Sequence, residues 1–193
     1  MVHLNNKYKN GFALLMSLIV VSVVISIGLV VLDLTLKQLR LSTNSKDSET
    51  AFHAANAAME CARYWRNEKN DDFVVEGELL NVECFGVTIG QVTPTQEVVD
   101  FYGKAAKYTF EASWGSGTSE RCSQIDILVI NSEIDQETVV NDISIIIPGF
   151  PEDVKTCEPG GRCTIIAARG YSRSCGSDLT LPGTVEREVL LEL

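Results

Sequence analysis

Residues Phe12 to Leu32, FALLMSLIVVSVVISIGLVVL, run for 21 positions without a charged side chain. As a helix this run is about 32 Å long, the thickness of a bilayer's hydrocarbon core. It therefore reads as a membrane-spanning helix. The segment before it, MVHLNNKYKNG, holds Lys7 and Lys9 and no acid. Positive charge beside a span marks its cytoplasmic side, so the chain beyond Leu32 is expected to be extracellular. A secretory signal peptide is the competing reading. Its apolar region is shorter and ends in small residues at a cleavage site, whereas this run ends Leu32-Asp33-Leu34. The junction that looks like a cleavage site lies in front of the run, where Gly11 abuts Phe12.

The helix is expected to continue past the membrane. No proline occurs before Pro94, and no glycine between Gly28 and Gly77, so nothing in this stretch forces a stop. Ala51, Ala55, Ala58, Ala62 and Trp65 are spaced to form one narrow stripe of mostly small residues, suited to close approach by a sheet. Unbroken from Phe12 to about Asn67, the helix would be about 84 Å long. Its weak stretch is STNSKDSET, Ser42 to Thr50. Hydroxyl and carboxylate side chains compete there with helical hydrogen bonds, so the sequence leaves open whether the stretch stays helical, bends or melts. Ser17, Ser22 and Ser26, in the apolar part, either bond back to helical carbonyls or help helices pack together, as does Gly28.

From Asp71 onward the period changes to alternation. Tyr108, Phe110, Ala112 and Trp114 alternate, as do Ile125, Ile127 and Val129, and Ile143, Ile145 and Ile147. These predict strands of an antiparallel sheet, one face of which covers the alanine stripe. Val185 to Leu193 reads as a half-solvated last strand. Glu-Pro-Gly-Gly-Arg between Cys157 and Cys163 has turn composition and suggests a short hairpin closed by its own disulfide.

All six cysteines lie C-terminal to the apolar run. An even set on the exported side of a membrane implies disulfides. Sequence alone leaves the connectivity open. The expected pairs are Cys61 with Cys84, stapling the helix end to the first strand region, Cys122 with Cys175, and Cys157 with Cys163. A zinc site is not expected: no Cys-x2-Cys occurs and His53 is the only histidine outside the first few residues. The fold class is thus α+β, with segments at 1–11 (leader), 12–33 (membrane helix), 34–67 (exposed helix continuation) and 68–193 (extracellular β domain).

Three stretches carry a family resemblance: KNGFALLMSLIVV, SETAFHAANAAMECARYWRN, and the tail CTIIAARGYSRSC with VEREVLLEL. Together they resemble bacterial type IV pilin-like proteins of the minor pilin (pseudopilin-like) type, in which an Ala-Ala-x-x-x-Met-Glu-Cys-Ala-x-Tyr-Trp motif ends the helix. Here that motif is Ala54, Ala55, Met59, Glu60, Cys61, Ala62, Tyr64 and Trp65. The likeness covers roughly the first 65 residues and the last 30. It implies a pilin fold, a long helix laid on an antiparallel sheet. It also implies cleavage by a prepilin peptidase after Gly11, methylation of the new Phe12 amine, and assembly with other pilin or pseudopilin subunits by an inner-membrane platform and a cytoplasmic ATPase. Major pilins carry glutamate at the fifth mature position, where this chain has Met16. The departure points to a minor or tip-located subunit, unless Ser17 or backbone carbonyls solvate the amine.

Catalytic signatures are missing from the sequence. There is no Walker loop, dinucleotide fingerprint, His-Glu-x-x-His or Gly-x-Ser-x-Gly, so neither an enzyme nor a cofactor is expected. Gly115-Ser116-Gly117 reads as a flexible turn, and Asp71-Asp72 as a solvated turn rather than a calcium site. With 16 basic and 26 acidic residues, net charge -10, the chain repels phosphate backbones and nucleic acid is not an expected partner. Two classes remain: a filament subunit, or a single-pass anchored binding module that does not polymerise, whose helix contacts only membrane lipid.

Overall fold

The computed structural model describes residues 8–68, 80–100, 103–115, 120–176 and 179–193, with no description of the side chains of 8–11, 80, 95–100 and 103–104. The leader residues 1–7, the Asp71-Asp72 pair and Ser116-Gly117 therefore lie outside the described residues.

The chain divides into two compact units, Met1–Ser45 and Lys46–Leu193. The described part of the first is helical throughout. It belongs to helix α1, Tyr8–Glu68, which contains 61 residues. Ser42 to Thr50, which the sequence leaves open, is helical. Thr43 Oγ1 donates to the Arg40 carbonyl at 2.9 Å and Thr50 Oγ1 to that of Lys46 at 2.8 Å. These hydroxyls thus bond to the helix's own carbonyls without breaking its ladder.

In the second unit, the last turns of α1 pack on an antiparallel five-stranded sheet of order β3-β4-β5-β8-β9. Its strands are β3 (Pro94–Asp100), β4 (Gly103–Trp114), β5 (Arg121–Ser132), β8 (Arg162–Tyr171) and β9 (Glu186–Glu192). β1 (Leu80–Cys84) and β2 (Val87–Val92) form a separate hairpin, and β6 (Thr138–Val140) pairs with β7 (Lys155–Cys157). The long helix, the antiparallel sheet and the disulfides make this an α+β fold of the expected kind.

Ala51, Ala54, Ala55, Ala58 and Ala62 are fully buried on the sheet face. Small side chains are required here because the strand backbone comes very close. A Cβ on Gly170 would overlap the Ala51 carbonyl oxygen and the Ala55 amide nitrogen, and would lie 2.8 Å from Ala54 Cβ. Ser123, in register with Gly170, donates its hydroxyl to the Ala54 carbonyl at 3.0 Å. Tyr108, Phe110, Ile125, Ile127 and Ile166 complete this core.

The opposite face of the sheet holds a second core, in which Leu128, Ile130, Ile165 and Ala167 meet Val140, Ile143, Ile146, Ile147 and Phe150. Two expectations are corrected on this face. Ile143, Ile145 and Ile147 do not form a strand: Ile143–Ile146 is a short helix, α2. Ile143, Ile146 and Ile147 are buried at helical spacing while Ile145 is 76% exposed. Nor do the flanks of the Cys157–Cys163 turn pair with each other. β7 pairs with β6, and β8 runs between β5 and β9, so this disulfide joins two sheets instead of closing a hairpin.

Candidate functional site

Among the described residues the first unit is the helix alone, which is long and apolar enough to cross a membrane. Every described side chain from residue 12 to 45 is exposed. Gly11 lies within the helix and Phe12 beside it is 66% exposed, with Met16 49% exposed one turn on. The serine hydroxyls are turned onto the helix backbone. Ser17 donates to the Leu14 carbonyl, Ser22 to that of Ile19 and Ser26 to that of Ser22, each at 2.8 Å. In an apolar medium this removes the cost of an unpaired hydroxyl. A side chain placed at Gly28 would meet nothing within 4 Å.

Apolarity does not stop with the bilayer-length run. Leu34, Leu36, Leu39 and Leu41 are 53%, 49%, 58% and 71% exposed, interleaved with Asp33, Lys37 and Arg40. Lys37 and Asp33 form an i,i+4 ion pair at 2.8 Å.

In the second unit the cysteines pair as Cys61–Cys84, Cys122–Cys175 and Cys157–Cys163. The first ties the end of α1 to β1, and Trp65 Nε1 reinforces it by donating to the Glu83 carbonyl at 2.9 Å. The strand it reaches belongs to the β1-β2 hairpin and not to the five-stranded sheet. Arg66 is buried near the same end, its Nε donating to Thr164 Oγ1 at 2.6 Å. Burial, and secondarily the charge of Arg162, lower its pKa. Glu111 is close to the sulfurs of Cys122 and Cys175, but sulfurs joined in a disulfide have no thiolate to give a metal.

A polar network on the outer sheet face went unread in the sequence. Asp126, 4% exposed, accepts hydrogen bonds from Thr109 Oγ1 at 2.6 Å and Arg169 NH1 at 3.1 Å and pairs with Lys107 Nζ at 3.2 Å. Arg169 also donates from Nε to Glu188 at 3.0 Å and from NH2 to the Pro148 carbonyl at 3.1 Å. Alternation places Lys107 and Thr109 together on β4, but the strand register alone brings Asp126 and Arg169 beside them. Each charge has an opposite partner, so the network fastens β9 and the Pro148 loop to the sheet.

No protein-family model, curated protein sequence or solved structure matches the chain. A long N-terminal apolar helix whose C-terminal part packs on an antiparallel sheet is compatible with a pilin-like architecture. The same helix is a candidate single membrane span.

Proposed function

We propose that this chain is a subunit of a type IV pilus or secretion pseudopilus, a minor subunit placed at a filament end or held at low copy number. The observation that carries this reading is the surplus of exposed apolar helix. A plain anchor needs about 20 apolar residues, yet Leu34, Leu36, Leu39 and Leu41 extend the apolar surface beyond the first charge at Asp33 and stay exposed. Helices of other subunits would cover them in an assembly. The basic leader ending at Gly11-Phe12 and the resemblance of the helix end, Ala54 to Trp65, support the same reading.

On this proposal a prepilin peptidase cuts after Gly11, the Phe12 amine is methylated, and the helix rests in membrane lipid until the assembly platform and its ATPase draw it into a filament. Lys46–Leu193 then lies outside the cell, where its three disulfides persist. We propose no catalytic role. Met16 cannot supply the carboxylate that would neutralise a neighbour's N-terminal amine in an apolar core, where an unpaired charge is strongly disfavoured. A subunit with few neighbours tolerates that loss best.

Intact-mass measurement on membrane-extracted protein tests the processing step. The expected product lacks residues 1–11; it has lost Lys7 and Lys9 and no acid, leaving 14 basic against 26 acidic residues, a net -12. Retention of Met1 would identify the plain anchor instead. Quantification in sheared filaments tests placement: an amount equal to the main subunit would sink the minor-subunit assignment.

A further inference from the structure

β9 is the last strand in the sheet order β3-β4-β5-β8-β9, and its backbone bonds follow a parity. Thr164 and Leu193 exchange backbone hydrogen bonds in both directions at 2.9 Å, and the Ser172 N–H donates to the Val185 carbonyl. Between these points β8 and β9 stay in register, pairing Ile166 with Leu191, Ala168 with Val189 and Gly170 with Arg187. Antiparallel ladders alternate hydrogen-bonded and non-bonded pairs. Arg187, Val189 and Leu191 therefore turn both backbone groups toward β8, and Glu186, Glu188, Leu190 and Glu192 turn theirs outward. Among the described residues no backbone bond reaches those four from the open side. Every residue of β9 is at least partly exposed, whereas β8 is largely buried.

The two edges of this sheet differ. β3, at the far edge, begins with Pro94, and its pairing with β4 shifts between Pro94 and Gln96; a proline and an irregularity both blunt an edge. β9 has neither, since no proline lies between Thr184 and Leu193 and its pairing with β8 does not shift. What guards β9 is charge. In an antiparallel pairing with a second copy the outward residues must oppose one another. Any register that engages three or more of them sets Glu188 against Glu188, Glu186 against Glu192, or Glu188 against Glu192. Like charges directly opposite are destabilising, so the edge rejects its own copy. Lysine or arginine at alternate positions of a different strand meets the same carboxylates favourably. Lys155 already touches Glu192, and Arg169 touches Glu188 and Glu186, but a carboxylate has lone pairs for a second donor. The side chains of Glu186 and Glu192 are 51% and 48% exposed. On the other face, an added strand would lie beside Val189 and Leu191, which are partly buried against the first core.

We propose that the β9 edge is a strand-acceptor site: an extended segment of a different protein, with lysine or arginine at alternate positions and apolar residues between them, adds antiparallel to β9. Main-chain bonds to Glu186, Glu188, Leu190 and Glu192 supply the affinity, and the glutamates select a basic sequence over an acidic one. The site needs neither cleavage after Gly11 nor polymerisation, so it stands or falls separately from the filament reading.

The test uses the full chain in detergent, disulfides intact, and a capped peptide, Lys-Val-Ile-Val-Lys-Thr-Lys, which sets its lysines against Glu192, Glu188 and Glu186 and its isoleucine against Leu190. In the free protein the amides of Arg187, Val189 and Leu191 should exchange slowly with deuterium and those of Glu188, Leu190 and Glu192 fast; the peptide should slow the second set. Fluorescence anisotropy should show binding that falls about tenfold when the third and fifth peptide residues, whose N–H groups face β9, are N-methylated. N-methylation of the fourth residue, whose N–H faces away, should change it by less than about twofold. Glu186→Lys replaces a side chain whose listed cation, Arg169, is 3.9 Å away, and should weaken binding about fivefold; a peptide ending in glutamate should recover it. Absence of binding, equal binding of the peptide with glutamate in place of every lysine, equal loss for both methylations, or indifference to Glu186→Lys would each overturn the proposal. So would slow exchange of Glu188, Leu190 and Glu192 in the free protein, because it would mean that the edge is already covered.

Discussion

Replacing Gly170 with alanine would put a methyl group into the seam where α1 meets β8. That Cβ would overlap the Ala51 carbonyl oxygen and the Ala55 amide nitrogen. Both are helix backbone atoms, so no side chain can rotate aside, and the helix itself must retreat by about 1 Å to restore normal contact distances. Retreat loosens the packing of five fully buried alanines, 51, 54, 55, 58 and 62, and lengthens the Ser123–Ala54 hydrogen bond from 3.0 Å. Overpacking costs about 1–3 kcal/mol and the weakened hydrogen bond about 1, so the expected destabilisation is about 3 kcal/mol. For a unit of this size that lowers the melting temperature by about 6–12 °C. Circular dichroism melts of the full chain in detergent would measure it. Gly28→Ala is the control, because a methyl there meets nothing within 4 Å and glycine-to-alanine in a helix is neutral or favourable. A Gly170→Ala protein melting within about 2 °C of the parent would show that the alanine seam is not the close contact described.

Other consequences are equally direct. Asp126→Ala leaves Lys107 and Arg169 facing each other without their shared carboxylate, and should cost about 3–5 kcal/mol in urea unfolding; an effect under about 1 kcal/mol would mean that solvent already screens the network. Removing disulfides as serine pairs should follow the length of chain each one closes, with separations of 53, 23 and 6 residues for Cys122–Cys175, Cys61–Cys84 and Cys157–Cys163. The losses expected are about 4, 3 and 2 kcal/mol in that order, and a reversed order in denaturant midpoints would contradict the chain-entropy account. Tyr171 has its pKa raised by burial and then by Glu186. The folded state therefore holds this proton more tightly than the unfolded one, and the associated stability is complete below the unfolded value of about 10 and is lost as pH rises through the higher folded value. Melting temperatures followed upward from pH 9 should fall less steeply for Tyr171→Phe than for the parent.

Features that depend on near neighbours in the chain were legible from residue types. The uncharged run from Phe12 to Leu32, the alanine stripe and the alternating last strand each declare themselves through a local period. Two of the three cysteine pairs follow from short separation in the chain, Cys61 with Cys84 and Cys157 with Cys163 across a Gly-Gly turn, whereas nothing local in the sequence joins Cys122 to Cys175. At 42–50 residue types leave helix and melting both open, because serine and threonine hydroxyls compete with the helix ladder and can equally bond to carbonyls one turn back.

Tertiary structure decided what no period encodes. β5 contains the continuous run Ile127-Leu128-Val129-Ile130, and reading it as simple alternation hid its second buried face. As the central strand, it has α1 on one side and α2 with the β6-β7 pair on the other, which is why apolar residues occupy successive positions. α2 is helical because Ile143, Ile146 and Ile147 gain burial only when one turn faces that second core. Asp126 and Arg169 are 43 residues apart and meet only through the pairing of β5 with β8. Sequence by itself determined an apolar helix joined to a disulfide-closed β unit, because hydrophobic run length, period and cysteine placement are properties of consecutive residues. Which strands adjoin, which faces are covered and which charges meet were fixed by register, and register depends on all the strands packing at once.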